Sequence, residues 1–206
     1  SFFKKQKPIH IFGYLAFTIK GKQDTIASMK KILKILLLLF PILTFSQNKE
    51  ESEIFKKIIV YVIEKNKTTI SIKCEKPKTS FNIREFKEDT KGVPISETIL
   101  NELNKNKTDA TEIWDLELIK LSEFDSKYVK NKNCITETDS ENIFKDIHKR
   151  ENIISISKPL FDNNFENCIV SVVHSKSFQS ASGRSYFLKK VNGIWVVITE
   201  FGFWIS

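Results

Sequence analysis

Only three histidines occur among the 206 residues, so imidazole chemistry can be followed position by position. His174 stands in NCIVSVVHSKSF directly before Ser175, with Ser177, Ser180, Ser182 and Ser185 close behind. An imidazole beside hydroxyls is the beginning of a hydrolytic triad, which needs a nucleophile, a base and an acid that orients the base. No GxSxG elbow presents any of these serines. Alternation along the run puts Cys168, Val170, Val172 and His174 on one face. His174 thus closes an apolar face, where a carbonyl, a hydroxyl or water satisfies its nitrogens. The expectation is no catalytic residue, with His174, Ser175 and Ser177 as the hydrolase alternative. His148 sits beside Lys149 and Arg150, and a helix end with its dipole accounts for it.

Paired carboxylates are the next chemistry to seek, because glycosidases need two flanking a sugar. Asp115 and Glu117 would share a strand face about 7 Å apart if WDLELIKL were extended. A solvent face opposite Trp114, Leu116 and Leu118 accounts for them equally. Asp162 and Glu166 in FDNNFEN offer oxygens, but their spacing misses the calcium-loop pattern and reads as a turn. No CxxC or Cys/His spacing suggests zinc. Six glycines form no phosphate-cradling loop. Neither a metal nor a cofactor is expected. Tyr186, Trp195, Phe203 and Trp204 remain as a candidate ligand or partner surface, because a sheet that carries so many aromatics can leave some exposed.

Location is more legible than reaction. The only Met, Met29, opens MKKILKILLLLFPILTFSQ. Two lysines, an apolar run and small residues at Thr44 and Ser46 form a secretory signal cut before Gln47. The run is short for a membrane span, which needs about 20 apolar residues. Residues 1–28 read as sequence upstream of the true start, and 29–46 as the signal. No stable membrane span is expected after cleavage. Of the excess of eight positive charges, seven lie before Gln47, where eight lysines face Asp24 alone. The remainder is nearly neutral, so a nucleic-acid partner has no electrostatic footprint. Export exposes Cys74, Cys134 and Cys168 to an oxidising compartment. Three cysteines permit at most one internal bridge, and unbridged thiols are the alternative.

The elements that must position these residues fall in a single domain, 47–206. Ser52 can cap a helix through EIFKKIIVYVIEK with Ile54, Ile58, Ile59 and Val62 inward. TTISIKC alternates as a half-buried strand, and TSFNIREF can continue a sheet. SETILNELNKN reads as a helix capped by Ser96. WDLELIKL is compatible with strand or helix. A helix capped by Asp139 or Ser140 carries Ile143, Phe144 and Ile147. Four strand-like runs follow, IISISKPLF, NCIVSVVHSKSF, RSYFLKKV and GIWVVITEFGFW, the last two joined by an Asn192-Gly193 hairpin turn. The expected fold class is α+β, with N-terminal helices packed on one face of a C-terminal antiparallel β-meander of about four strands.

The stretch IISISKPLFDNN followed by CIVSVVHS, YFLKKVNGIWVV and FWIS resembles small exported proteins of Bacteroidetes. Their pattern is an [LI]S[KR]P[LIV]F strand and a KxxGxW hairpin. The resemblance covers roughly the last 65 residues. It implies a periplasmic or extracellular location and an architecture, not a reaction. Many chains with that pattern carry a Gly- and Cys-rich hairpin where this one has SKSFQSASG. The functional expectation is a non-enzymatic binding or structural module whose ligand the sequence leaves open.

Overall fold

The stripe Ile54, Ile58, Ile59 and Val62 recurs at helical spacing, and it lies on helix α1, which runs through residues 47–66. The structure is a computed structural model that describes residues 47–107, 111–125, 127–130, 133–146, 151–177 and 179–206. The stretches read as upstream sequence and signal, together with Ile147 and His148, lie outside these residues. Ser52 falls within α1 and is not its cap. The helix closes where the Lys67 N–H donates to the Ile63 carbonyl at 2.8 Å and Lys67 turns left-handed at φ 53°.

After α1 come β1 (Ser71–Ile72), β2 (Glu75–Lys76), α2 (Ile83–Asp89), α3 (Glu97–Lys105), β3 (Glu112–Ile113) and α4 (Leu116–Ile119). A 3-10 turn at Leu121–Glu123 and helix α5 (Glu137–Lys145) follow. The chain then forms β4 (Ile153–Ile156), β5 (Leu160–Phe161), β6 (Asn167–Ser177), β7 (Ser180–Val191) and β8 (Ile194–Ile205). Residues Asn48–Ser206 form one compact unit.

The fold is α+β with a mostly antiparallel sheet. Six strands run in the order β1-β4-β6-β7-β8, and β5 pairs with β6 beside β4. The expected hairpin turn is present: Asn192 and Gly193 both have positive φ, 51° and 79°, as a tight twisted turn demands. Pro159 has no N–H to give a ladder, so the expected first strand is divided into β4 and β5. In the gap Ser157 locks onto β6. Its N–H donates to the Ser171 carbonyl at 2.9 Å, and its Oγ accepts from the Ser171 N–H at 2.8 Å.

Four further expectations are corrected. The sheet is not a bare meander of about four strands, because β1 enters it from the first half of the chain, parallel to β4. The helices do not all precede the strands or share one face. Helix α1 covers Cys168, Val170, Val172, Tyr186, Leu188 and Trp195, whereas Phe86 of α2 and Leu100 and Leu103 of α3 cover Ile169, Phe187 and Phe201 on the other. TSFNIREF does not extend a sheet. The Asn82 side chain accepts from the backbone N–H groups of Arg84 and Glu85 and starts α2. That local cap outweighs the strand-like pattern. The cap of α5 is Thr136, in a reciprocal capping box with Asp139.

Beside β1 the chain returns at Val129 and Ile135, which bridge in parallel to Ile70 and Lys73. Cys134, next to Ile135, is bridged to Cys74, 60 residues earlier, while Cys168 is buried and unbridged. A second clamp joins α1 to β2 and β3. Lys76 bonds Glu51 at 2.6 Å and Glu112 at 2.9 Å, almost wholly out of solvent on the Lys76 and Glu51 sides. Burial works against the Lys76 charge, but its hydrogen bonds to both carboxylates outweigh it and raise its pKa.

Two stability predictions follow from this packing. Trp195 lies under α1 and its indole N–H donates to Glu50 at 2.8 Å. Trp195→Ala should cost about 3–5 kcal/mol in urea unfolding, and a loss under about 1 kcal/mol would place Trp195 outside the core. Opening a loop of this length should cost about 4 kcal/mol. The paired Cys74→Ala, Cys134→Ala variant should therefore unfold at clearly lower urea, and an unchanged midpoint would contradict the clamp.

Candidate functional site

Strands β6 and β7 outrun the helix that covers them. Beyond the end of α1, at Lys65 and Asn66, the same sheet face carries His174 and Lys176 of β6 and Arg184 of β7 around a cavity of about 290 Å³. Tyr186 closes its inner side, and Phe203 of β8 forms a wall.

Two irregularities in β8 re-aim side chains toward this cleft. Leu188 pairs with Val197 and Phe187 with Thr199, so one step on β7 matches two on β8. Such a bulge reverses the alternation. It brings Glu200 opposite Tyr186 on the α1 face. The second lies between Ser185–Phe201 and Gly183–Trp204, where two steps on β7 match three on β8. Gly202 supplies the left-handed φ of 63° there, and its N–H is taken by Asp89 of α2 at 2.8 Å. Phe203 therefore comes beside Arg184, whose guanidinium sits 4.8 Å from the ring centre. Trp204 passes to the opposite face and lies across Gly183, where any Cβ would stand 2.2 Å from the indole nitrogen.

Glu200 is the electrostatic hub. It receives the Tyr61 hydroxyl at 2.8 Å, the Lys65 ammonium at 2.5 and 2.6 Å, and the Arg184 guanidinium. Burial would raise its pKa, but the donations from Lys65, Tyr61 and Arg184 prevail and hold the carboxyl below its ordinary range. The Tyr186 hydroxyl is pushed up to about 12, by burial first and by the Glu200 charge second. Lys176 has no carboxylate partner among the described residues. Three cations thus border the cavity, and one carboxylate pairs with two of them.

His174 occupies the cleft floor. Burial holds its pKa below the ordinary 6.5, and repulsion from Lys176 and Arg184 adds to the effect. Ser175 points to the opposite face of β6 by alternation, and Ser177 is exposed across a register shift. The charged groups around the ring are cations, and no serine hydroxyl or carboxylate of the described residues bonds to it.

The candidate aromatics separate into two kinds. Trp195 and Tyr186 are each 3 % exposed and belong to the core, although Tyr186 also lines the cleft, so Trp195 is corrected from surface to core. Phe203 and Trp204 are exposed at 57 % and 43 %, on opposite faces. Asp115 and Glu117 are not paired on a strand. Asp115 Oδ1 accepts from the Glu117 N–H at 3.0 Å and starts α4. Asp162 spends its oxygens on Glu166, Asn167 and the Asn167 amide, as a turn residue does. Among the described residues no cluster of His, Cys, Asp or Glu could hold a metal ion. No helix among them is long and apolar enough to cross a membrane.

A second cavity, of about 230 Å³, surrounds Lys76, Glu51, Glu112 and Trp114. Its cation is matched by carboxylates on both sides, so it serves as a clamp. Sequence reasoning reached His174 and Phe203 but not Lys65, Lys176, Arg184 or Glu200. Single charges on a helix and three strands carry no signal until the fold brings them together. No known family, curated protein or solved structure matches the chain.

The low pKa of His174 has a measurable consequence. As pH falls through 6.5 toward the folded-state value, the unfolded chain takes up the proton first. The stability that the neutral ring contributes is full above that window and is lost as pH falls through it. His174→Gln should therefore lose less melting temperature than the parent between about pH 7.5 and about pH 5. Parallel curves would mean that the ring is as solvated in the fold as out of it.

Proposed function

We propose that the chain is an exported, non-enzymatic binding module that holds an anionic ligand in the cleft at the end of α1. The observation that carries the reading is the charge of the cleft: Lys65, Lys176 and Arg184 border one cavity, and Glu200 pairs with the first and the last of them. Cations in a partly desolvated concavity attract anions more strongly than cations spread over a surface. The arginine is the best placed of them. Phe203 stacks on it and Glu200 holds it from one side, so little side-chain freedom is left to lose on binding.

The non-enzymatic reading is supported by the surroundings of His174. An imidazolium formed there would face Lys176 and Arg184, whereas a triad base is steadied by a carboxylate. Export is supported by the signal-like order before Gln47, by the Cys74–Cys134 bridge, which suits an oxidising compartment, and by the resemblance of the last third to exported proteins. The near-neutral charge from Gln47 onward argues against a nucleic-acid partner.

Titration with sodium sulfate at low ionic strength, followed by calorimetry and melting temperature, tests the reading. Sulfate should bind saturably and raise the melting temperature, and added sodium chloride should weaken it. Arg184→Gln should reduce the affinity about tenfold or more, the worth of one charge-assisted hydrogen bond. Absence of saturable binding, or an unchanged affinity in the variant, would refute the anion cleft.

A further inference from the structure

The charge balance and the lining of the cleft narrow the ligand. We infer that it is a phosphate monoester carried on a small hydroxyl-bearing body, an inference that rests on the anion reading above. Lys65 and Arg184 both bond Glu200, so that trio retains one positive charge. Lys176 supplies a second at the same cavity. A carboxylate or a sulfate monoester, each a single negative charge, leaves half of this excess unmatched. A phosphate monoester carries a charge of about −1.5 to −2 at pH 7 and three strong acceptor oxygens. It matches the cleft in both charge and acceptor number.

The lining argues for more than the free anion. The cavity, of about 290 Å³, is open to solvent and extends past the cations to uncharged polar side chains. The rest of the lining is of a different kind from the cationic part. Asn66, Thr68 and Asn152 form the side away from Arg184, with Ser182 at the floor. Hydroxyl and amide groups both donate and accept, which is what a polyol or sugar ring requires. The Asn152 amide donates to the Thr69 carbonyl at 3.3 Å, leaving its oxygen to accept from a ligand hydroxyl. The exposed face of Phe203 offers an apolar surface to sugar C–H groups.

Calorimetry on the purified protein at about pH 7.5 decides the matter, with glucose 6-phosphate, glucose 6-sulfate, glucuronate and inorganic phosphate as probes. Glucose 6-phosphate should bind at least about tenfold more tightly than the sulfate ester and glucuronate. It should also exceed inorganic phosphate by a similar factor, through its ring contacts. Lys176→Gln lies at an exposed strand end and should keep the parent melting temperature while losing the preference for phosphate over sulfate ester. Equal affinity for the three sugar acids would overturn the phosphate assignment and leave the anion cleft standing. Inorganic phosphate binding as tightly as the ester would overturn the hydroxyl-bearing body. If none of the four probes binds, the anion cleft itself is refuted along with the inference.

Discussion

Strand β6 is buried on both faces over Asn167–Val170, and the rest of the molecule is arranged to satisfy that constraint. A strand apolar on both sides cannot lie at a solvent-facing sheet surface. One face needs the stripe of α1, and the other needs Phe86, Leu100 and Leu103. Because the covering helices α1, α2 and α3 precede β4 to β8, which form most of the sheet, the connection must wrap the sheet. The long excursion from β1 through α2 and α3 does this. The buried Lys76–Glu51 pair and the Cys74–Cys134 bridge then fasten its beginning to α1 and to the returning segment.

The same constraint makes the cleft. A helix advances about 1.5 Å per residue and a strand about 3.3 Å, so one covering helix does not reach the far ends of long strands. Where α1 stops, the inner face of β6 and β7 emerges with polar residues: His174, Lys176, Ser182 and Arg184. The two bulges in β8 convert that uncovered end into a charged site. Without the first, Glu200 would face α2, and without the second Phe203 would leave Arg184. Backbone irregularity is thus the device that assembles the site, in keeping with the habit of bulges to re-aim side chains.

What was legible from the residues divides along the same line. Periodic segments were readable: the α1 stripe, the alternation of β6 down to His174, the Asn-Gly hairpin. Where a local hydrogen bond competes with the pattern, it prevailed. Asn82 starts a helix inside an apparent strand, and Asp115 does so inside WDLELIKL. Strand alternation fails across a bulge, and Gly202 alone hinted at one, since an isolated glycine in a strand run is its usual mark. The bulge opposite Leu188 has no glycine, so the placement of Glu200 could not be read. Long-range pairing was also hidden: nothing in TTISIKC says that it lies parallel to a strand 82 residues further on, from Ser71 to Ile153.

The two cavities show how one set of charged side chains can serve opposite ends. Around Lys76 the carboxylates Glu51 and Glu112 are in place, and Glu112 is bonded again by Lys158. A cation so buried is tolerable only when paired, because desolvation otherwise exceeds any gain. Around His174 the balance is reversed, with more cations than carboxylates. Such an excess would be intolerable in the core. It persists because the cleft is open, with Lys176 exposed and Lys65 and Arg184 partly so. Water screens the unmatched charge there until something better replaces it. Lys176 therefore has no packing role to explain its position. That separates the cleft from the clamp: in the clamp the fold requires every charge, and at the cleft it leaves some over.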